Sequence, residues 1–331
     1  MLRAPSAVTY SVAVGVGVTL VYWCYRQWKN RISMPKKWRR IGTLDQINIF
    51  PIKSCAPLNL DANTEVDCDI LGLKFNGCRD RALMMINNSN EMITARVYPH
   101  MVLIATELVE SQILQISAPG MKSIQLHLST LKSEGEQIKT MVWSTSVNVY
   151  LVGAKYDEWL SQYILNKDSG IRLVHYPLEK PVKAINSRMV RQPYILKEDR
   201  GTFNDATSYM LLNLSSIEEL STRLSRSLDP LQFRGSFHLK MDFPEPYAED
   251  YWKWVKIGDD VVFRVVAPCT RCIFPNIDVK TAKRDPDGEP FNTLKKYRLF
   301  KGYASPALGI HLGLRAAGSI KEGAVIYVED K

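Results

Sequence analysis

The sequence predicts a mainly β (α+β) protein: two β-barrel-like domains with peripheral helices, preceded by one N-terminal membrane helix. Three observations carry this. Short β-branched runs recur, each bounded by turn residues. Amphipathic helical patterns are few. No charged residue occurs from Ala4 to Tyr25. Many short strands separated by polar turns favour barrels over open parallel sheets.

The apolar segment comes first. About 20 helical residues cross the hydrocarbon core of a bilayer, and in lipid even Val-rich sequence favours helix, because the backbone must satisfy itself internally. Tyr22, Trp23, Tyr25 and Trp28 have the make-up of an interfacial aromatic belt. The run is longer than a signal-peptide core, no Ala-x-Ala site precedes the basic cluster, and it is too uniformly apolar for a transit peptide, so a retained signal anchor is expected. One Arg precedes the span and seven Lys or Arg lie between Arg26 and Arg40. The positive-inside rule then puts the body in the cytosol. A short span with a basic flank fits the mitochondrial outer membrane; the endoplasmic reticulum and peroxisome membranes are the alternatives.

The net charge of +9 belongs to this flank. Eight basic residues precede Asp45, the first acidic residue, which leaves 35 basic against 34 acidic side chains in the body. A body so near neutrality gives no electrostatic reason for nucleic-acid binding. The chain divides into residues 1–40 (anchor and basic flank), 41–180 (a first β-barrel domain) and 181–331 (a second barrel).

Ile47, Ile49 and Ile52 begin the first strand-like region, which Pro51 ends or bulges. Further strands are expected at Ala82–Ile86, Val102–Thr106, Ile113–Ser117, Ile124–Leu128, Val147–Leu151 and Ile171–His175. Trp159, Tyr163 and Ile164 recur at helical spacing within Lys155–Leu165. In the second half Tyr209–Leu214 reads as a strand, and Ser215-Ser-Ile-Glu218 has the form of a capping box opening a helix to about Leu224. Val261–Val266 and Ala324–Val328 are β-branched strands, each after a Gly-containing turn.

Of the six cysteines, only Cys269 and Cys272 have an informative spacing, in Ala267-Pro-Cys-Thr-Arg-Cys272 after a strand; reduced thiols are expected. A zinc site needs four ligands, and no matching pair accompanies this one. A thioredoxin-like pair should open a helix in a βαβ unit, and here Pro flanks it on both sides. A single functional thiolate beside Arg271 is the remaining reading. Four other stretches sit at loop–strand junctions: Phe50-Pro-Ile-Lys-Ser-Cys55, where free backbone N–H groups with Lys53 and Ser54 could grip an anion; Cys78-Arg-Asp-Arg81, read alone as a surface ion pair; Phe203-Asn-Asp-Ala-Thr-Ser208; and Phe233-Arg234.

Taken in order, these stretches resemble one family. Pro51–Cys55, Gly77–Arg81 and Ile93-Thr-Ala-Arg96 resemble its N-terminal β-barrel domain. Asp205–Ser208, Phe233-Arg234, Tyr247–Trp252, Thr270–Cys272 and Leu294–Tyr297 resemble the molybdenum-cofactor sulfurase C-terminal (MOSC) domain. With an N-terminal anchor, the combination is similar to the mitochondrial amidoxime-reducing components, from about Ile41 to Val328. The resemblance implies a molybdenum-molybdopterin cofactor whose metal Cys272 ligates. It implies that Lys53, Ser54 and Arg81 hold the pterin and its phosphate, with Thr207, Ser208, Arg234, Thr270 and Arg271 as further contacts and Asp205 as a polar or proton-handling group. Arg forks, a Lys and hydroxyl donors suit an anionic phosphate, and a soft thiolate suits such a metal.

The activity implied is reduction of N-hydroxylated compounds (amidoximes, hydroxylamines, N-hydroxyguanidines) with electrons from NADH through NADH-cytochrome b5 reductase and cytochrome b5. The chain has no dinucleotide fingerprint, which fits an external donor. Rival readings are a non-catalytic or sulfur-carrying MOSC protein that binds or delivers the cofactor, and a membrane-tethered scaffold with a degenerate pocket. Pyridoxal phosphate binding is not expected, since 331 residues leave no room for the sulfurase's desulfurase domain. Three departures touch the pocket: Ile273-Phe-Pro-Asn276 follows Cys272, Gly235-Ser236 follows Arg234, and His311 stands where a cofactor-contacting tyrosine is expected. Cys269 is a non-ligand by this match, read as a small buried side chain.

Overall fold

Trp38–Ile47 (β1) runs far from the second half in sequence, yet it closes a barrel built from that half. The computed structural model describes residues 33–131, 136–143, 145–177, 180–181 and 192–330. The expected membrane helix over 4–25 lies outside them. Among the described residues no helix is long and apolar enough to cross a membrane.

The first half continues with β2 (Val66–Asp69), β3 (Gly72–Phe75), β4 (Cys78–Arg79), β5 (Leu83–Asn87), β6 (Ala105–Glu110), β7 (Ile113–Ser117), β8 (Ile124–His127), β9 (Gln137–Val142), β10 (Thr145–Leu151), helix α1 (Ala154–Leu165) and β11 (Ile171–His175). The second half holds β12 (Tyr209–Asn213), α2 (Leu214–Leu224), β13 (Phe237–Met241), β14 (Trp254–Ile257), β15 (Val261–Thr270), α3 (Phe291–Tyr297), β16 (Ala307–Ala316), β17 (Gly318–Ile320) and β18 (Val325–Glu329). The barrel closes in the order β1-β13-β12-β16-β15-β14-β18. Every described pairing in it is antiparallel except β12 with β13.

The remaining strands form three small sheets: β5-β11-β10-β9, β17-β2-β3-β4 and β6-β7-β8. The exchange is reciprocal, since β1 joins the later barrel and β17 pairs with β2. Inside the barrel Tyr209 stacks on Phe237 at 5.7 Å and meets Phe263 edge-on at 4.9 Å. All three rings are fully buried. They fill a small barrel as a packed core, and truncating one, as in Phe263→Ala, costs about 3–5 kcal/mol.

Several sequence expectations are corrected. Ile47 ends the first strand instead of beginning it. Val102 lies in a 3₁₀ turn, Pro99–Leu103, and the strand starts at Ala105. The α1 core stripe is Tyr156, Leu160 and Ile164, with Trp159 and Tyr163 on its flank. The cap of α2 is Asn213, whose side chain accepts from the Ser215 N–H; Ser216 Oγ instead donates to buried Glu249.

Candidate functional site

Strand β15 delivers the thiols. Its register against β16 shifts between Val262 and Phe263, between Val265 and Ala267, and between Pro268 and Thr270. Bulges admit Pro268, which cannot donate to the ladder, and re-aim the side chains beyond it. Cys269, Thr270, Arg271 and Cys272 therefore line one cleft, together with Lys53, Ser54, Arg81, Asp205, Thr207, Ser208 and Arg234.

The cations enter from loops held in the left-handed backbone region. Ser54, Arg81, Trp143 and Arg234 have φ of 73°, 49°, 55° and 54°. Of the eleven described non-glycine residues with positive φ, these four line the cleft. Such concentrated strain persists where the surrounding structure enforces a functional geometry. The Lys53 N–H is not free, as the sequence reading had it: it donates to Leu83 O at 2.8 Å. The Lys53 ammonium is buried, donates to Phe203 O at 2.7 Å and pairs with Asp205. Asp205, more than half exposed, also accepts from Trp143 Nε1 at 2.9 Å.

Arg81 and Arg234 both lie against the Phe50 ring. Their guanidinium carbons lie 4.7 and 4.1 Å from the Phe50 ring centroid. The Asp80–Arg81 pair is buried, with Asp80 wholly shielded, so the surface reading of Cys78–Arg81 is overturned. Arg81 spends one arm on Asp80 and another on Arg234 O. Arg234 donates to Cys55 O at 2.8 Å, while its Nη2 is buried with no partner among the described residues. Burial, and then the neighbouring Arg81 charge, lower Arg234 to about 9. Burial likewise lowers Lys53, with Asp205 opposing. Two arginines over one ring and an orphaned guanidinium nitrogen form a cradle that an anion would complete.

The hydroxyls and Arg271 are committed differently. Thr207 Oγ1 donates to Tyr209 O at 2.8 Å, and Ser208 Oγ donates to Ile70 O at 3.0 Å. Toward the cleft these two oxygens are acceptors. Arg271 is buried, and four of its five N–H groups go to Leu308 O, Phe233 O and Met210 Sδ. It fixes the wall and acts on the cleft through its charge.

The two thiols differ. Cys272 is exposed, and its Sγ accepts from the Phe274 N–H at 3.4 Å. The walls around it still push the thiol up, opposed by that N–H and by Arg96 and Arg271. Cys269 is buried as expected. Burial pushes its thiol up, but the Arg271 charge and nearby His311 outweigh this and bring it down to about 7. Its reading as a merely apolar side chain is therefore incomplete. The other described cysteines, Cys55, Cys68 and Cys78, are free and buried, and burial raises each.

Sequence reasoning named no role for Trp143, Arg96 or Phe274, which line the same cleft. Arg96 lies 4.0 Å over the Trp143 ring, and Arg234 lies 5.0 Å from Phe274. Trp143 ends the β9–β10 hairpin, and only the tertiary fold brings it to Asp205.

Comparison with known proteins places the site in context. The MOSC N-terminal beta barrel domain matches residues 41–167 and the MOSC domain matches residues 198–327. Mitochondrial amidoxime-reducing component 1 of Mus musculus is 32% identical over 307 residues, covering 90% of this chain and 86% of that protein. Mitochondrial amidoxime-reducing component 1 of Danio rerio is 29% identical over 325 residues, covering 97% and 93%. Mitochondrial amidoxime reducing component 2 of Bos taurus is 29% identical over 300 residues, covering 88% and 84%.

Proposed function

Because the chain belongs to the mitochondrial amidoxime-reducing component family of MOSC-domain proteins, a molybdenum-cofactor-binding family, we propose that it is a molybdenum-dependent reductase of N-hydroxylated compounds. One observation carries the reading: a solvent-open thiol, Cys272, shares a cleft with buried Lys53 and with half-buried Arg81 and Arg234, and Arg234 Nη2 has no partner among the described residues. A thiolate supplies a soft metal ligand. The cations fit an anionic pterin phosphate.

In this reading Lys53, Arg81 and Arg234 hold the phosphate, and Ser54, Thr207, Ser208 and Thr270 meet the pterin's polar edge. Cys272 would ligate the metal as its thiolate, against the shielding that raises the thiol in this cleft. Phe50 and Phe274 both pack against the Arg234 guanidinium. Asp205, held by Lys53 and Trp143, offers an oriented acceptor near the mouth. The cofactor, when bound, supplies two-electron chemistry at the N–O bond.

Electrons reach it from NADH through NADH-cytochrome b5 reductase and cytochrome b5. The relatives' names support a mitochondrial location. Residues 4–25 anchor the chain in the outer membrane with the body toward the cytosol.

The test is metal analysis of cofactor-loaded full chain, together with benzamidoxime reduction in the presence of cytochrome b5 and its reductase. Molybdenum bound with turnover supports the reading. A chain that takes up no molybdenum overturns it. Molybdenum bound without reduction of any N-hydroxylated compound replaces it with cofactor carriage or delivery.

A further inference from the structure

Among the described residues five cations line the cleft, Lys53, Arg81, Arg96, Arg234 and Arg271, against one carboxylate, Asp205. Four of the five spend donors on the protein. Lys53 donates to Phe203 O and Asp205, Arg81 to Asp80 and Arg234 O, Arg234 to Cys55 O, and Arg271 to Leu308 O and Phe233 O. Arg96 differs. Its guanidinium carries five N–H donors, and no atom among the described residues accepts a hydrogen bond from it.

What holds Arg96 is a ring. Its guanidinium carbon lies 4.0 Å from the Trp143 ring centroid, a cation–π contact that needs no hydrogen-bond acceptor. Trp143 is fixed in turn by its edge, since Nε1 donates to Asp205 at 2.9 Å. The Arg96 backbone is tied to the opposite wall. Arg284 Nη2 donates to Arg96 O at 2.6 Å, and Arg284 bridges Ile277, the residue after the Phe274–Asn276 turn. One indole thus carries a carboxylate at its edge and a guanidinium on its face, in the cleft that holds Cys272.

We propose that Arg96 is a substrate-recognition residue that receives the carboxylate of N-hydroxylated compounds bearing one, with Trp143 as its positioning residue. The inference deepens the proposed function and rests on it for the reducible group. A guanidinium with unused donors meets a carboxylate through two parallel N–H···O bonds. The excess of cations over carboxylates in the lining favours an anionic ligand. Lys53, Arg81 and Arg234 are taken by the phosphate in the proposed reading, and Arg271 is committed to the wall. Arg96 is left for the substrate. It is half-buried, so its attraction is screened less than at an open surface.

The experiment compares benzamidoxime with its 3- and 4-carboxy derivatives on cofactor-loaded full chain in detergent. Steady-state reduction with cytochrome b5 and its reductase gives KM and kcat, and calorimetry gives Kd. Wild type should favour at least one carboxy derivative by about tenfold in KM and Kd, the weight of one charge-assisted pair. Added salt should shrink the preference. Arg96→Gln should erase it through KM, and Arg96→Lys, which keeps the charge without the fork, should retain part. Trp143→Phe, which keeps a ring against the guanidinium, should retain more than Trp143→Ala. A preference absent from wild type, or one that survives Arg96→Gln, overturns the assignment. So does loss of molybdenum in Arg96→Gln, which gives Arg96 to the cofactor, or a raised KM for cytochrome b5 alone, which gives it to the electron donor. A carboxylate preference in binding that Arg96→Gln removes, with no turnover of any compound, keeps the subsite and overturns the reductase reading. Turnover of all three compounds at one KM does the reverse.

Discussion

The buried ammonium of Lys53 and the carboxylate of Asp205 are paired at the cleft, 152 residues apart in sequence. Asp205 also holds Trp143 by its indole N–H at 2.9 Å. The carboxylate thus ties a cation of the first half to a hairpin tip and to the loop before β12.

Asp205→Asn should destabilise the protein by roughly 1–2 kcal/mol. This is less than the 3–5 kcal/mol for breaking a fully buried pair, because the Asp205 side chain is 59% exposed and solvent screens it. Lys53 would lose the charge that opposes its desolvation. With its folded pKa below 10.5, the unfolded chain binds the extra proton between those values, so the Lys53 penalty fades as pH rises toward 10.5. Thermal melts at pH 7 and 10 should show a smaller deficit at the higher pH. An equal deficit at both would count against the buried pair.

Inorganic phosphate should stabilise the cofactor-free chain through Arg234, whose Nη2 has no partner among the described residues. At tenfold excess over Kd the gain is about 1.4 kcal/mol, or about 2–3 °C in Tm. Arg234→Leu should remove the phosphate response. A response that survives this variant places the anion elsewhere.

Acid should weaken the barrel through His238. Asn48 Nδ2 donates to His238 Nε2 at 3.2 Å, so a proton there meets a donor. Burial lowers His238 to about 4 from 6.5. The unfolded chain then binds more protons between these values, so the full stability is present above 6.5 and falls as pH drops toward 4. The loss amounts to roughly 3 kcal/mol over that window. In His238→Gln, denaturant melts should lose this slope; an unchanged slope assigns it to other groups.

Gly309→Ala should destabilise by about 2–5 kcal/mol, from a left-handed backbone and from overpacking. Gly309 has φ +77°, and a Cβ there would lie 2.6 Å from Leu211 O and 3.3 Å from Arg271 Nη2. Gly120, at φ +76° with nothing within 4 Å, is the control. Gly120→Ala should cost only about 1 kcal/mol. Equal losses at both sites would show that backbone strain alone is at work.

The sequence made some of this legible and hid the rest for physical reasons. Ile113–Ser117 and Ile171–His175 were read to the residue, because short β-branched runs between turns mark strands. The start of β1 was hidden because exposed Arg39 and Arg40 precede its first buried residue, Ile41. Val102 misled because an apolar run buried in a 3₁₀ turn looks like a strand. All ten candidate site residues meet in one cleft, since the motif order located them. The Asp205–Trp143 contact depends on hairpin placement, for which no local pattern exists.

Sulfur coordination at molybdenum tests the central claim most directly. X-ray absorption on cofactor-loaded full chain counts the sulfur ligands of the metal. Wild type should show one more sulfur than Cys272→Ala, and Cys269→Ala should match wild type. A sulfur count unchanged by Cys272→Ala, or one that falls in Cys269→Ala instead, would contradict the assignment of Cys272 as the protein's ligand.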